Sequence, residues 1–273
     1  MQIIDGKKIA VDIIARLKKF PRPDKILAAI YVGKNKSSES FLRQKEKIAK
    51  ELGVDFRIYK LDESLSQDKL RQEVGRISKQ GIVGGVIVQL PLPEKYNRQT
   101  ILNAVDPKKD IDCVTETMLG KFYTGRSPIV LPAVGAVEEI LKDLRFKIQD
   151  LRVGVVGTGF LVGKPIANWL TGKAKEIYIL RSVSDFEILK QVDLVISGVG
   201  RAGIIKPEML KDGAGVIDFG YDDGKGDFDP GNIPDSKFQI LKIWFTPTPG
   251  GTGPIVVAKL FENFYQIGSL LSS

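Results

Sequence analysis

The chain contains no histidine and a single cysteine, Cys113. An internal disulfide is excluded, and one cysteine suits a reducing compartment. Without imidazoles or paired thiols a zinc site lacks its usual ligands, so no metal is expected. Any general base must be Lys, Asp, Glu or Tyr, with its pKa set by its surroundings. No apolar run reaches the ~18 residues that a membrane span needs. Residues 1–8 carry no apolar signal core, so a cytoplasmic protein with no membrane partner is expected.

Concentrated charge is missing too. The 41 Lys and Arg residues exceed the 33 Asp and Glu by +8, but the two signs are interspersed along the whole chain. A nucleic-acid binder would gather its basic residues into a patch with interleaved aromatics, and no nucleic-acid partner is expected. The excess reads first as a solvated basic surface. It reads second as a field that attracts an anionic small substrate.

What is present is alternation. Apolar runs at 26–32, 55–61, 85–90, 152–156, 176–180, 194–198 and 215–219 predict strands. Between them, amphipathic stretches at 6–19, 38–52, 67–79, 99–105, 134–144, 162–170 and 254–270 predict helices. Strands and helices in turn imply an α/β protein with parallel sheets. A break after Asp112, with 113–131 as an irregular connector, predicts two α/β domains with a cleft between them. The first spans 1–135 and is completed by a returning C-terminal helix at 254–273; the second, 136–253, is Rossmann-type.

The second domain carries the sequence Leu151-Arg-Val-Gly-Val-Val-Gly157-Thr158-Gly159-Phe-Leu-Val-Gly163-Lys-Pro165. It reads as a buried strand, a glycine turn and a helix start, which together suit a dinucleotide pyrophosphate. Gly163 falls one position later than in the common G-x-G-x-x-G. The next strand ends in Leu180-Arg181-Ser182 with no carboxylate for a ribose 2′-OH. An arginine there either meets the 2′-phosphate of NADP or is a solvated loop residue. NADP is the expected cofactor, with NAD the alternative.

In the first domain, Lys45 is out of pattern. At 100° per residue, Phe41, Leu42, Ile48, Ala49 and Leu52 share one arc of the helix, and Lys45 lies at its centre with Ser38 on the same face. Such a lysine either lines a cleft, where desolvation lowers its pKa and suits it to proton transfer, or snorkels at a helix edge. Gln89 ends the strand at 85–90, at the end where ligands collect. It either orients a partner or is an ordinary strand-end glutamine. In Asp106-Pro-Lys-Lys-Asp110-Ile-Asp112 a carboxylate either accepts paired N–H donors of a heterocycle or is solvated.

Taken together these segments resemble the methylenetetrahydrofolate dehydrogenase/cyclohydrolase (FolD) family over essentially the whole chain. The likeness is carried by Val32-Gly33 with Ser38-Glu-Ser-Phe41-Leu-Arg-Gln-Lys45, by Gly85-Val-Ile-Val-Gln89-Leu90-Pro-Leu-Pro93, by the 106–112 segment, and by Thr246-Pro-Thr-Pro-Gly250-Gly251-Thr-Gly-Pro254. The resemblance implies oxidation of 5,10-methylenetetrahydrofolate to the methenyl form with NADP, then hydrolysis to 10-formyltetrahydrofolate. It implies Lys45 as acid/base, Gln89 tuning it, and Asp112 holding the pterin. Ser38, Phe41, Leu90, Gly250, Gly251 and Pro254 would lie against the folate. Gly157, Thr158, Gly159, Gly163, Arg181, Ser182, Gly198 and Tyr221 would lie against the dinucleotide. A homodimer acting on tetrahydrofolate one-carbon derivatives is implied as well.

The chain departs from that pattern in several places. Phe41 stands where the family has tyrosine, which keeps the ring and removes the hydroxyl. Thr158 and Gly159 replace an arginine and a serine, and Val130-Leu-Pro-Ala-Val-Gly135 and Leu180-Arg-Ser-Val183 are altered. A dehydrogenase with weak cyclohydrolase activity and a non-catalytic folate- or nucleotide-binding regulator therefore stand as alternatives.

Overall fold

The apolar runs form two sheets in which every strand pair is parallel. The computed structural model describes residues 2–231 and 242–272. In chain order the elements begin β1 (Gln2–Ile3), α1 (Gly6–Leu17), β2 (Ile26–Val32), α2 (Lys36–Leu52), β3 (Phe56–Leu61), α3 (Gln67–Ser78) and β4 (Val83–Val88). The short helices α4 (Arg98–Leu102) and α5 (Glu116–Tyr123) follow, then α6 (Pro132–Asp143). The rest comprises β5 (Arg152–Val156), α7 (Gly163–Leu170), β6 (Glu176–Leu180), β7 (Leu194–Ser197), β8 (Gly215–Asp218), β9 (Trp244–Phe245) and α8 (Thr252–Ser272). Among the described residues no helix is long and apolar enough to cross a membrane.

The chain divides into two units. The first combines Ile13–Pro132 with Val257–Ser273 and holds a three-stranded sheet in the order β3-β2-β4. All seven residues of β2 are buried, as are all six of β4. Burial on both faces explains why these runs are continuously apolar and do not alternate. Asn35 starts α2, its side chain accepting from Ser38 N at 2.9 Å, and Gly53 ends it in the left-handed region, a standard start signal and stop signal.

The second unit combines Met1–Asp12 with Ala133–Val256. Its six-stranded sheet has the order β1-β9-β8-β7-β5-β6. Placing the first residues with the three-stranded unit is corrected here: Gln2 pairs with Trp244 and Ile3 with Phe245, which ties them to this sheet. Two-residue strands are too short to leave a periodic signal. The connector expected at 113–131 is corrected as well, because α5 runs through it. Thr115 caps that helix by accepting from Met118 N, Glu116 sits in its first turn and Met118 is buried. Gly120, inside this short helix, weakens its pattern in the sequence.

Asn263 holds the three-stranded unit to its last helix. It is 1% exposed, and its Nδ2 donates to the Ile111 carbonyl at 2.9 Å and to the Val130 carbonyl at 2.7 Å. Asn263→Ala strands both carbonyls, so a loss of about 2–4 kcal/mol is expected from the usual penalty for buried unpaired groups. Denaturant unfolding followed by circular dichroism measures it; a midpoint equal to wild type would show that water replaces the amide.

Candidate active site

Helix α2 buries Leu42, Ala49 and Leu52 and exposes Arg43, Lys47, Lys50 and Glu51. Lys45 goes with the buried set, at 8% exposure. The helix-edge alternative is thereby removed. Its Nζ donates to Gln89 Oε1 at 2.9 Å, and Gln89 Nε2 donates to the Leu90 carbonyl at 2.8 Å. The second bond fixes the first, since an amide whose nitrogen faces a carbonyl must turn its oxygen to the amine. Ser38 Oγ donates to the same Leu90 carbonyl at 3.3 Å. Ser38, Lys45, Gln89 and Leu90 therefore form one hydrogen-bonded group, while Phe41 is half-buried on the same helix.

The acidic segment sorts itself by hydrogen bonding. Asp106 accepts from Lys108 N at 2.9 Å and caps the turn at Pro107–Lys109. Asp110 Oδ2 accepts from Val114 N at 2.9 Å and Thr115 N at 2.7 Å. Both are committed to their own backbone. Asp112 alone of the three has its carboxyl left for another molecule. Burial pushes it up to about 6, against the pull of the Lys45 ammonium and helped by the Asp110 charge. Burial likewise pushes Lys45 down, and Asp112 opposes that. An amine drawn toward neutrality beside a carboxyl titrating near 6 can exchange protons under ordinary conditions.

In the six-stranded unit the turn after β5 depends on its glycines. Gly157 has φ 95° and donates its N–H to the Leu180 carbonyl at 2.8 Å. A Cβ on Gly163 would lie 1.9 Å from the Gly157 carbonyl oxygen, so the helix start packs directly on the turn. Gly198, after β7, has its backbone close to both: a Cβ there would meet Val162 at 2.5 Å, and its carbonyl oxygen would lie 3.0 Å from a Cβ on Gly157. Gly159 is exposed and would accept a side chain, with only ordinary contact to Gly198. No side chain caps α7, which leaves that end open to an anion and fits a dinucleotide pyrophosphate.

Arg181, Ser182, Thr158 and Tyr221 are exposed in this unit. Gly250, Gly251 and Pro254 also belong to this unit and not to the one that holds Lys45. Sequence reading missed two buried carboxylates here, Asp218 and Asp227. The signal was available for Asp218, a charged residue ending the apolar run Gly-Val-Ile-Asp. For Asp227, in a glycine-rich loop, there was none.

A parallel unit with a glycine turn shaped for a dinucleotide, and a second α/β unit with a buried amine beside a carboxyl, define a nucleotide-dependent enzyme of small-molecule chemistry. The model for the tetrahydrofolate dehydrogenase/cyclohydrolase catalytic domain matches residues 4–112. That for the NAD(P)-binding domain of the same enzymes matches residues 132–270. The bifunctional protein FolD of Campylobacter concisus (strain 13826) is 33% identical over 277 residues, covering 96% of each chain. The crystal structure of the bifunctional enzyme FolD from Campylobacter jejuni superposes with a TM-score of 0.89 at 27% identity, over 99% of both chains. The Trypanosoma brucei enzyme, solved with NADP cofactor and an inhibitor, gives 0.86 at 29% identity, over 99% of this chain and 98% of that one. The chain belongs to the tetrahydrofolate dehydrogenase/cyclohydrolase family.

Proposed function

We propose that this chain oxidises 5,10-methylenetetrahydrofolate with NADP and hydrolyses the methenyl product to 10-formyltetrahydrofolate. The observation that carries the reading is Lys45, buried, held by Gln89 and electrostatically coupled to Asp112. A bound nicotinamide supplies the hydride acceptor for the first reaction. For the second, the Lys45 amine takes a proton from the water that adds to the methenyl carbon. Lys45 then returns that proton to the ring nitrogen as the carbon–nitrogen bond breaks, and the remaining hydroxyl proton leaves to solvent as the formyl carbonyl forms. Gln89 keeps the amine aimed, and Asp112 accepts N–H donors of the pterin. Gly157, Gly163 and Gly198 shape the pyrophosphate cradle; Thr158, Gly159, Ser182 and Tyr221 line its exposed side. Ser38, Phe41 and Leu90 complete the folate contacts on the unit that holds Lys45. The same reading makes the protein a cytoplasmic homodimer, and sedimentation at monomer mass would remove that part.

Phe41 favours a second reading, a dehydrogenase with weak cyclohydrolase activity, because no hydroxyl supports Lys45 from the preceding turn. One experiment tests both: absorbance at the methenyl-folate band, with NADP and NAD in parallel. Absence of oxidation with either dinucleotide overturns the proposal, and accumulation of the methenyl form selects the second reading.

Arg181 is the one arginine at the end of β6. Arg181→Ala is expected to raise the KM for NADP about tenfold, the worth of one charge-assisted phosphate contact, and to leave that for NAD unchanged. Equal effects on both would deny Arg181 a 2′-phosphate role.

A further inference from the structure

The carboxylate of Asp227, 0% exposed, collects three hydrogen bonds from one short stretch of chain. Oδ2 accepts from Ser197 Oγ at 2.6 Å and Val199 N at 2.7 Å, and Oδ1 accepts from Arg201 N at 2.8 Å. Ser197 is the last residue of β7, so the bonds fasten the loop that leaves its carboxyl end. Asp218 does the equivalent for the loop after β8. It accepts from Gly220 N at 2.7 Å and Phe228 N at 2.9 Å. Gly220 and Gly226 let the two carboxylates enter, since a Cβ at either would lie 2.1 Å from a carboxylate oxygen of Asp227 or Asp218 respectively.

Two buried carboxylates side by side are unfavourable. Burial and the Asp227 charge together push Asp218 up to about 6, and the groups bonded to the pair are backbone N–H and a hydroxyl. A pair that the fold tolerates at such a cost commonly serves a site. Here the stretch held by Asp227 contains Gly198, whose carbonyl packs on Gly157 and whose Cα lies against Val162 at the start of α7.

We infer that Asp227 is a positioning residue for dinucleotide binding: its carboxylate fixes residues 197–201 so that Gly198 supports the Gly157–Gly163 cradle from beneath. The inference rests on the proposed function, and it assigns part of the cofactor affinity to a side chain outside the glycine turn.

The test is the Asp227→Asn chain, full length, titrated with NADPH by fluorescence without turnover. The amide keeps the shape but turns an N–H toward one of the three donors. The NADPH Kd is expected to rise about tenfold or more, as for loss of hydrogen bonds to a charged acceptor. The kcat at saturating NADP should stay within about twofold, and hydrolysis of added methenyltetrahydrofolate should match wild type. A merely structural role would lower all of these together. If Asp227→Asn does not fold, Ser197→Ala decides, with a Kd about twofold to fivefold weaker expected for one lost neutral donor. An unchanged Kd in the folded variant tested overturns the inference. A wild-type chain that binds no NADPH overturns the proposed function, and this inference with it.

Discussion

The Lys45→Met chain is expected to lose hydrolysis of methenyltetrahydrofolate by about 10²–10⁴-fold, the range typical for removing a general acid/base. Hydride transfer should fall far less, because that step moves no proton through the enzyme. Met matches the lysine stem in length and apolar character, so the buried face of α2 keeps its packing. Gln89 Oε1 loses its donor while Gln89 Nε2 keeps the Leu90 carbonyl. Asp112 loses the ammonium that holds its pKa down and should titrate above about 6. Separate assays of the two reactions measure this. Retention of hydrolysis within about tenfold, against the size of effect that proton transfer supplies, would exclude Lys45 from the proton step.

Asp112→Asn is expected to have two effects of different sign. In binding, a charged acceptor is replaced by a neutral one, so the KM for methylenetetrahydrofolate should rise about tenfold to a hundredfold. Because Asp112 is ionised above about 6, the wild-type KM should climb as pH falls through that value. The Asn variant should show a higher KM without that climb. In stability the direction reverses. The folded pKa lies above that of an unfolded aspartate, so the folded state binds this proton more tightly, and stability declines as pH rises from about 4 to about 6. Removing the charge should therefore stabilise the chain at pH 7, by on the order of 1 kcal/mol after allowance for solvent screening of a half-buried group. No gain is expected near pH 4. A KM that tracks pH equally in both chains would mean that another group titrates.

The sequence made the local rules readable and left the long-range ones hidden. Strand β2 coincides with its expected bounds because Ile26–Val32 is an uninterrupted apolar run, and β5 and β6 coincide because a short apolar run follows Arg152 and Glu176 in each. Lys45 was visible because helical period alone puts it among Leu42, Ala49 and Leu52. The choice among Asp106, Asp110 and Asp112 was not readable, since it depends on which carboxylates the backbone claims, and the partners of Asp110 are defined only once Val114 and Thr115 have folded back. Strands β1 and β9 escaped notice because two residues carry no period and pair across most of the chain. The role of Asp227 was hidden for the same reason: its three donors lie 26–30 residues away.

The pairing of Gln2 and Ile3 with Trp244 and Phe245 bears on how the molecule is made. The strand Gln2–Ile3 cannot pair until the chain has been made as far as Phe245. The other unit is in the same position, for Phe261 and Phe264 belong to its fully buried set and lie far along the chain from its strands. Each unit must bring together segments that are distant in sequence, and folding is expected to be slow.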